Sequence, residues 1–294
     1  MHRYIAFPYR FFAVTFMWSW AIWAPLLPAA RNVLPGEREF LSNATFPAVV
    51  LAAFGPAVGA LYSVGTLEGK QALGLYFREF FDMRLGWKVW LAPVATVGAI
   101  TGAAWMLPDL WGAAHLPART FLLASPVQLA VIALLAGSQE ELGWRGYVCA
   151  SLEERLGPWC GNLLLGVAWA IWHLPLFLIP ESGLAPIPLP AFFLFTTGLS
   201  YLFAAFRQAA GGRGFAAYCG HTCVNFFGSL LPTLAPGPPQ VRYWIWAVLA
   251  LASGVVATAL RSDTRDWPQL RRRLTPRRSP VYAPEDSVRV RPTA

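Results

Sequence analysis

The chain has 294 residues, of which 56% are hydrophobic and only 13% charged. A soluble domain carries about 25% charged residues, so this composition excludes an ordinary water-soluble globule and points to an all-α, polytopic bundle of membrane helices. The net charge of +8 invites a nucleic-acid reading, but its cations lie in short loops and a terminal tail with nothing like a folded recognition module, so no nucleic-acid partner is expected.

Spans of at least about 17 mostly apolar residues mark crossing helices. In chain order the pattern predicts eight: Phe11–Ala29, Phe46–Thr66, Val89–Leu107, Phe121–Gly137, Gly161–Ile179, Ala191–Phe206, Phe215–Leu231 and Tyr243–Leu260. The first is too long, and lacks the small-residue cleavage site, to be a removable signal peptide. The fourth is expected to run on past a glutamate pair toward Ala150, because no strong helix breaker falls between Gln139 and Leu152. Pro-rich turns after Ile179 and Ala235 separate the later spans. The 14 Trp and 20 Phe suit lipid contact and interfacial belts.

Charge then orients the bundle. Lys70, Arg78, Arg84 and Lys88 lie between the second and third spans, and Arg265, Arg271, Arg272, Arg273, Arg277 and Arg278 lie in the tail. The alternate loops hold only Arg31, Arg38, Arg119 and Arg242. The excess of cations on cytoplasmic loops therefore predicts cytoplasmic N- and C-termini in a multi-pass protein of the cell membrane. Residues 1–261 form the membrane domain, and residues 262–294 a basic tail drawn to anionic headgroups. Cys149, Cys160, Cys219 and Cys223 show no secreted disulfide pattern and read as packing residues.

Three fragments place ionisable groups where a bilayer tolerates them least: Glu140-Glu141-Leu-Gly-Trp-Arg145, Trp169-Ala-Ile-Trp-His173 and His221-Thr-Cys-Val-Asn225. Such a group costs roughly 2.5–3.5 kcal/mol at bilayer depth on insertion scales, so it usually faces a protein-lined cavity. On a helix Glu141 and Arg145 stand at i and i+4 in the order that favours an ion pair. Glu140 points about 100° away, and its own i+4 neighbour, Trp144, cannot neutralise it. Arg145 thus braces Glu141 and leaves Glu140 to accept a proton or bind a metal. His173 has no charged neighbour for several residues, and Pro175 beyond it ends or kinks the helix. His221 and Asn225 share a face, where the carboxamide can orient the imidazole or hold an oxyanion. Taken singly, each fragment also fits a helix-end cluster, a carbonyl-bonded histidine or an interhelical hydrogen bond. Together they are the parts needed to activate a water.

The three fragments, in this order, resemble the motifs of the CAAX protease and bacteriocin-processing (CPBP) family of intramembrane endopeptidases: Glu-Glu-x3-Arg, an aromatic-x3-His, and His-x3-Asn. The Phe54-Gly-Pro-Ala segment is similar as well, and the resemblance covers roughly residues 46–230. It implies an eight-helix fold with a buried site open toward the cytoplasm, acting on a membrane-associated peptide or protein such as a CAAX-type substrate. By that resemblance Glu140 activates the water, His173 and His221 hold it or a metal, Asn225 serves the oxyanion, and Glu141 with Arg145 support them. Glu140, His173 and His221 make a reasonable zinc set with a position left for water, while a metal-free version with Glu140 as base stays open. Trp169 stands where Phe is commoner in the family, with no expected consequence. Gly55, Gly59 and Gly166 are expected to let helices approach closely. Two rivals remain: a transporter or proton relay using the same buried groups, though no clear repeat between the halves supports it, and a non-catalytic immunity or scaffold protein of this fold.

Overall fold

The structure is a computed structural model, described here for residues 7–29, 45–120, 127, 131, 137–179, 182–234 and 240–262. Among these every regular element is helical. We number the principal helices α1 (Tyr9–Trp23), α2 (Thr45–Leu67), α3 (Lys70–Phe80) and α4 (Trp87–Met106). Next comes a 41-residue apolar stretch, Ser138–Leu178. A straight helix of that length would reach about 60 Å, twice a bilayer core.

It is in fact a hairpin. Gly157 takes φ 74° and ψ 171° ahead of Pro158, a left-handed glycine followed by a residue that cannot continue the helix. The limbs, α5 (residues 138–156) and α6 (residues 158–172), fold back on each other. Asn162 donates to Glu153 Oε1 at 2.6 Å, and Trp169 donates to Glu140 at 2.7 Å. The bundle closes with α7 (Leu189–Ala209), α8 (Phe215–Leu230) and α9 (Val241–Ser262).

Among the described residues α1 packs on α2, α8 on α4 and α7, and α9 on α7 and α4, while α3 packs on α2. Gly55 and Gly59 of α2 bring its backbone against Ser19 and Thr15 of α1 in antiparallel register. Gly166 of α6 abuts Thr197 of α7, so all three expected close approaches occur. Gly254 of α9 packs on the α7 backbone beside Tyr201 and Leu202. The predicted span Phe121–Gly137 lies almost wholly outside the described residues. The described fourth pass is α5, so the glutamate pair sits within a pass that extends beyond Ala150. Residues 263–294, nearly all of the basic tail, are also outside the described set.

Each end of the bundle is tied by ions. At the end holding α3 and the Gly157 turn, Asp82 meets Arg84 at 2.8 Å and Arg213 at 3.0 Å. Hydrogen bonding to Arg84, then to Arg213, holds the Asp82 carboxyl well below the usual carboxylate range. Beneath them Glu153 is bound by Arg261 at 2.5 Å. At the other end Arg242 pairs with Asp109 and donates to the carbonyls of Trp105 and Ala114 at 3.0 and 2.8 Å.

Candidate active site

The glutamate pair does not lie on a regular α-helix. Ser138–Glu140 is a 3-10 turn, Glu141–Gly143 a single α turn, and Trp144–Val148 a π-helical turn, a distortion frequent at functional sites. Ahead of it Gly137 adopts φ 111°, which only glycine takes without strain. Gly143 packs directly on the backbone of Pro56, and Gly146 on Tyr76 and Phe80. The Phe54-Gly-Pro-Ala segment therefore buttresses the pair from behind, and Tyr76 adds a hydrogen bond to the Leu142 carbonyl.

Successive helical positions diverge by about 100°, and the two carboxylates separate accordingly. Glu141 is fully buried. Its Oε1 accepts from Arg145 Nη1 at 2.9 Å and lies 2.9 Å from His221 Nδ1. The buried guanidinium is sandwiched between rings, 4.6 Å from the Trp169 centroid and 5.0 Å from that of Phe203. Glu140 turns the other way. Its Oε2 accepts the indole N–H of Trp169 at 2.7 Å and that of Trp144 at 3.3 Å. Trp144 is thus a hydrogen-bond donor to Glu140, a capacity the sequence reading overlooked when it weighed charge alone. The consequence of Trp at position 169 was missed too: one face of its ring covers Arg145 while its edge holds Glu140, and a Phe supplies no such donor.

The histidines come in from α6 and α8. His173 ends α6, and its Nδ1 lies 2.8 Å from the Trp169 carbonyl. Donation to that carbonyl fixes the tautomer and leaves Nε2 as the available atom. Pro175 stops the helix as expected: a 3-10 turn, Leu174–Leu178, follows, and the Trp172 carbonyl accepts the indole of Trp20 at 3.0 Å. His221 is directed likewise, with Nδ1 on Glu141. Its Nε2 and Glu140 Oε1 each come within 3.0 Å of the point where a Cβ on Gly137 would stand. They are therefore at most twice that distance apart, across a gap kept clear by glycine.

These atoms border a cavity of about 440 Å³, lined among others by Glu140, Trp169, His173, His221 and Asn225. That volume suits a small-molecule or peptide site. All three fragments thus reach one cavity, with Glu141 and Arg145 packed behind its wall. Asn225 lies one turn beyond His221, and Arg119 also lines the cavity without any sequence pattern to announce it. Among the described residues no three His, Cys, Asp or Glu side chains are grouped closely enough to hold a metal ion. Glu140, His173 and His221 offer zinc-type donors, but as placed they do not form a three-ligand set.

Residues 122–227 match the family described as type II CAAX prenyl endopeptidase, Rce1-like. The match takes in all six of Glu140, Glu141, Arg145, His173, His221 and Asn225. A CAAX prenyl protease 2 of Methanococcus maripaludis is 41% identical over 56 residues, covering 19% of this chain and 21% of the relative. The alignment therefore spans about a fifth of that curated relative's length.

Proposed function

We propose, from the match of residues 122–227 to the Rce1-like type II CAAX prenyl endopeptidases, that the chain is a member of that family and an intramembrane endopeptidase. It hydrolyses a peptide bond of a membrane-associated substrate, CAAX-type or related, using a water activated by Glu140. The observation that carries this reading is the facing pair, Glu140 Oε1 and His221 Nε2, across the Gly137 gap at the wall of a roomy cavity.

In this scheme the water lies between the two atoms. Glu140 takes its proton as the hydroxide oxygen bonds to the scissile carbonyl carbon, and the carbonyl π pair moves onto oxygen. The Asn225 carboxamide donates to that oxyanion, and His173 Nε2 orients the incoming chain. Collapse of the adduct restores the C=O bond and breaks C–N, and the amine leaves with the proton Glu140 held. Glu141 acts through His221, fixing its tautomer, while Arg145 neutralises Glu141. The scheme routes no step through a metal, because the donor groups are not gathered as a ligand set.

The test compares membranes containing the wild-type protein with membranes containing Glu140→Gln, mapping new peptide termini in membrane proteins by mass spectrometry. Loss of a general base costs typically 10²–10⁴-fold, so termini made by the wild type should vanish in the variant. Equal termini in both would remove Glu140 from the chemistry and favour a scaffold or relay. Dialysis of the purified protein against a strong chelator should leave cleavage intact. Loss of cleavage that zinc restores would make the enzyme a metallopeptidase.

A further inference from the structure

We propose that Arg207, in the last turn of α7, is the centre of a binding site for a phosphate group, separate from the cavity. Among the described residues four arginines are buried: Arg145, Arg207, Arg242 and Arg261. Three of them meet an acid, Arg145 at Glu141, Arg242 at Asp109 and Arg261 at Glu153. Arg207, only 6% exposed, meets no acid among the described residues, and its Nε is occluded without a hydrogen bond. A buried lysine or histidine can shed its proton, but a guanidinium cannot, and buried charges are paired. The C-terminus of α7 offers only about half a negative charge. Its carbonyls at Phe206, Arg207, Gln208 and Ala210 already accept from Ala210, Gly212, Gly211 and Arg213. The compensating anion therefore comes from outside the described fold.

Arg207 stands one turn beyond Phe203 on the same face of α7, and the Phe203 ring lies against Arg145. That face is thus turned toward α5, where Cys149 and Glu153 follow Arg145 at successive four-residue steps. Glu153 is committed elsewhere: its Oε1 is held by Arg261 at 2.5 Å and by Asn162 at 2.6 Å. Arg261 also reaches Gln208, the residue beside Arg207, at 3.3 Å. The apolar span of α7 has 21 residues and is about 30 Å long. Its last turn therefore reaches headgroup level at one surface of a bilayer, whichever way the bundle is inserted. Phosphate is the recurrent anion at that depth, and a planar guanidinium takes it through two parallel N–H···O bonds. The group belongs either to a lipid headgroup or to free phosphate, two sources of one chemistry. Seated there, it also braces the α7 face whose Phe203 ring packs on Arg145.

The test uses the full chain, purified in detergent and stripped of lipid, with the thermal midpoint as readout. It is titrated separately with phosphatidylglycerol, with diacylglycerol, which lacks the phosphate, and with inorganic phosphate. A ligand that binds only the folded state raises the midpoint progressively with its concentration. Phosphatidylglycerol is expected to raise it in the wild type. Arg207→Gln should abolish that shift and Arg207→Lys keep part of it, while Arg78→Gln, which removes an exposed cation of α3, should leave it whole. An Arg207-dependent shift with inorganic phosphate as well would support the site with free phosphate as the source. A shift with the lipid alone would support it with the headgroup as the source. An equal shift with diacylglycerol, or no shift that depends on Arg207, would overturn it. Without added ligand, Arg207→Met should hold or raise the midpoint, because it removes an uncompensated buried charge. Asp263 and Asp266 follow α9 in the sequence, outside the described residues. If Asp263→Asn with Asp266→Asn lowers the lipid-free midpoint as far as Arg207→Met does, the chain supplies its own counter-ion and the proposal falls. None of these readouts depends on cleavage, so this site and the peptidase reading stand or fall separately.

Discussion

Trp169 donates to Glu140 from the edge of its indole and covers Arg145 with the face, so one side chain couples the two glutamates' surroundings. Trp169→Phe keeps the ring and removes the donor. A hydrogen bond to a charged group is worth about 1.5–3 kcal/mol, so kcat should fall roughly 10–150-fold, with KM and melting temperature nearly unchanged. An unaltered kcat would show that the indole only packs. Glu141 is different in kind. Breaking a buried pair by removing one partner costs about 3–5 kcal/mol, whereas replacing both is often neutral. Glu141→Gln should therefore lower the melting temperature in detergent sharply, and Glu141→Gln with Arg145→Met should recover much of it. The pairing itself was legible from the i, i+4 spacing. The His221 contact was not, because it joins residues 80 positions apart.

On the scale of an element, the helix carrying the glutamates is shaped by its glycines. A Cβ on Gly143 would overlap the Pro56 backbone, lying 2.6 Å from Pro56 Cβ and closer still to its carbonyl. Backbone cannot rotate away as a side-chain tip can, so Gly143→Ala should destabilise by about 1–3 kcal/mol, as overpacking does, read as a lower thermal midpoint. Gly74, whose Cβ would meet nothing within 4 Å, serves as control: Gly74→Ala should hold or raise the midpoint, since alanine is the better helix former. Equal midpoints for the two variants would mean that α2 and α5 can part without cost. The sequence pattern already parts a span running toward Ala150 from the next, Gly161–Ile179. The reversal at Gly157 becomes evident from the pairing of its limbs.

For the whole molecule, the basic end is closed by Asp82, which joins the α3–α4 loop to Arg213 between α7 and α8. The folded Asp82 pKa lies below its unfolded value of about 3.9. Its contribution to stability is therefore complete above that value and disappears as pH falls through the depressed folded one. Wild type should melt above Asp82→Asn at neutral pH, and the gap should close as acid is taken below about pH 4. A gap independent of pH would assign the loss to packing instead of charge. The opposite end is built otherwise: Arg242 binds Asp109 and two carbonyls, and its neighbour Tyr243 lines the cavity.

By itself the sequence determined the all-α class, the presence of several membrane-crossing helices and the polar positions within them. These follow from local quantities, namely runs of apolar residues, spacing along a helix and the expense of a charge in hydrocarbon. Tertiary structure alone decided which fragments meet across the cavity, that two indoles hold Glu140, and that Glu141 serves both Arg145 and His221. Those relations join helices far apart in the chain, and their distances arise from how glycine-lined surfaces pack. A helical period states which face a residue occupies. It does not state what that face meets.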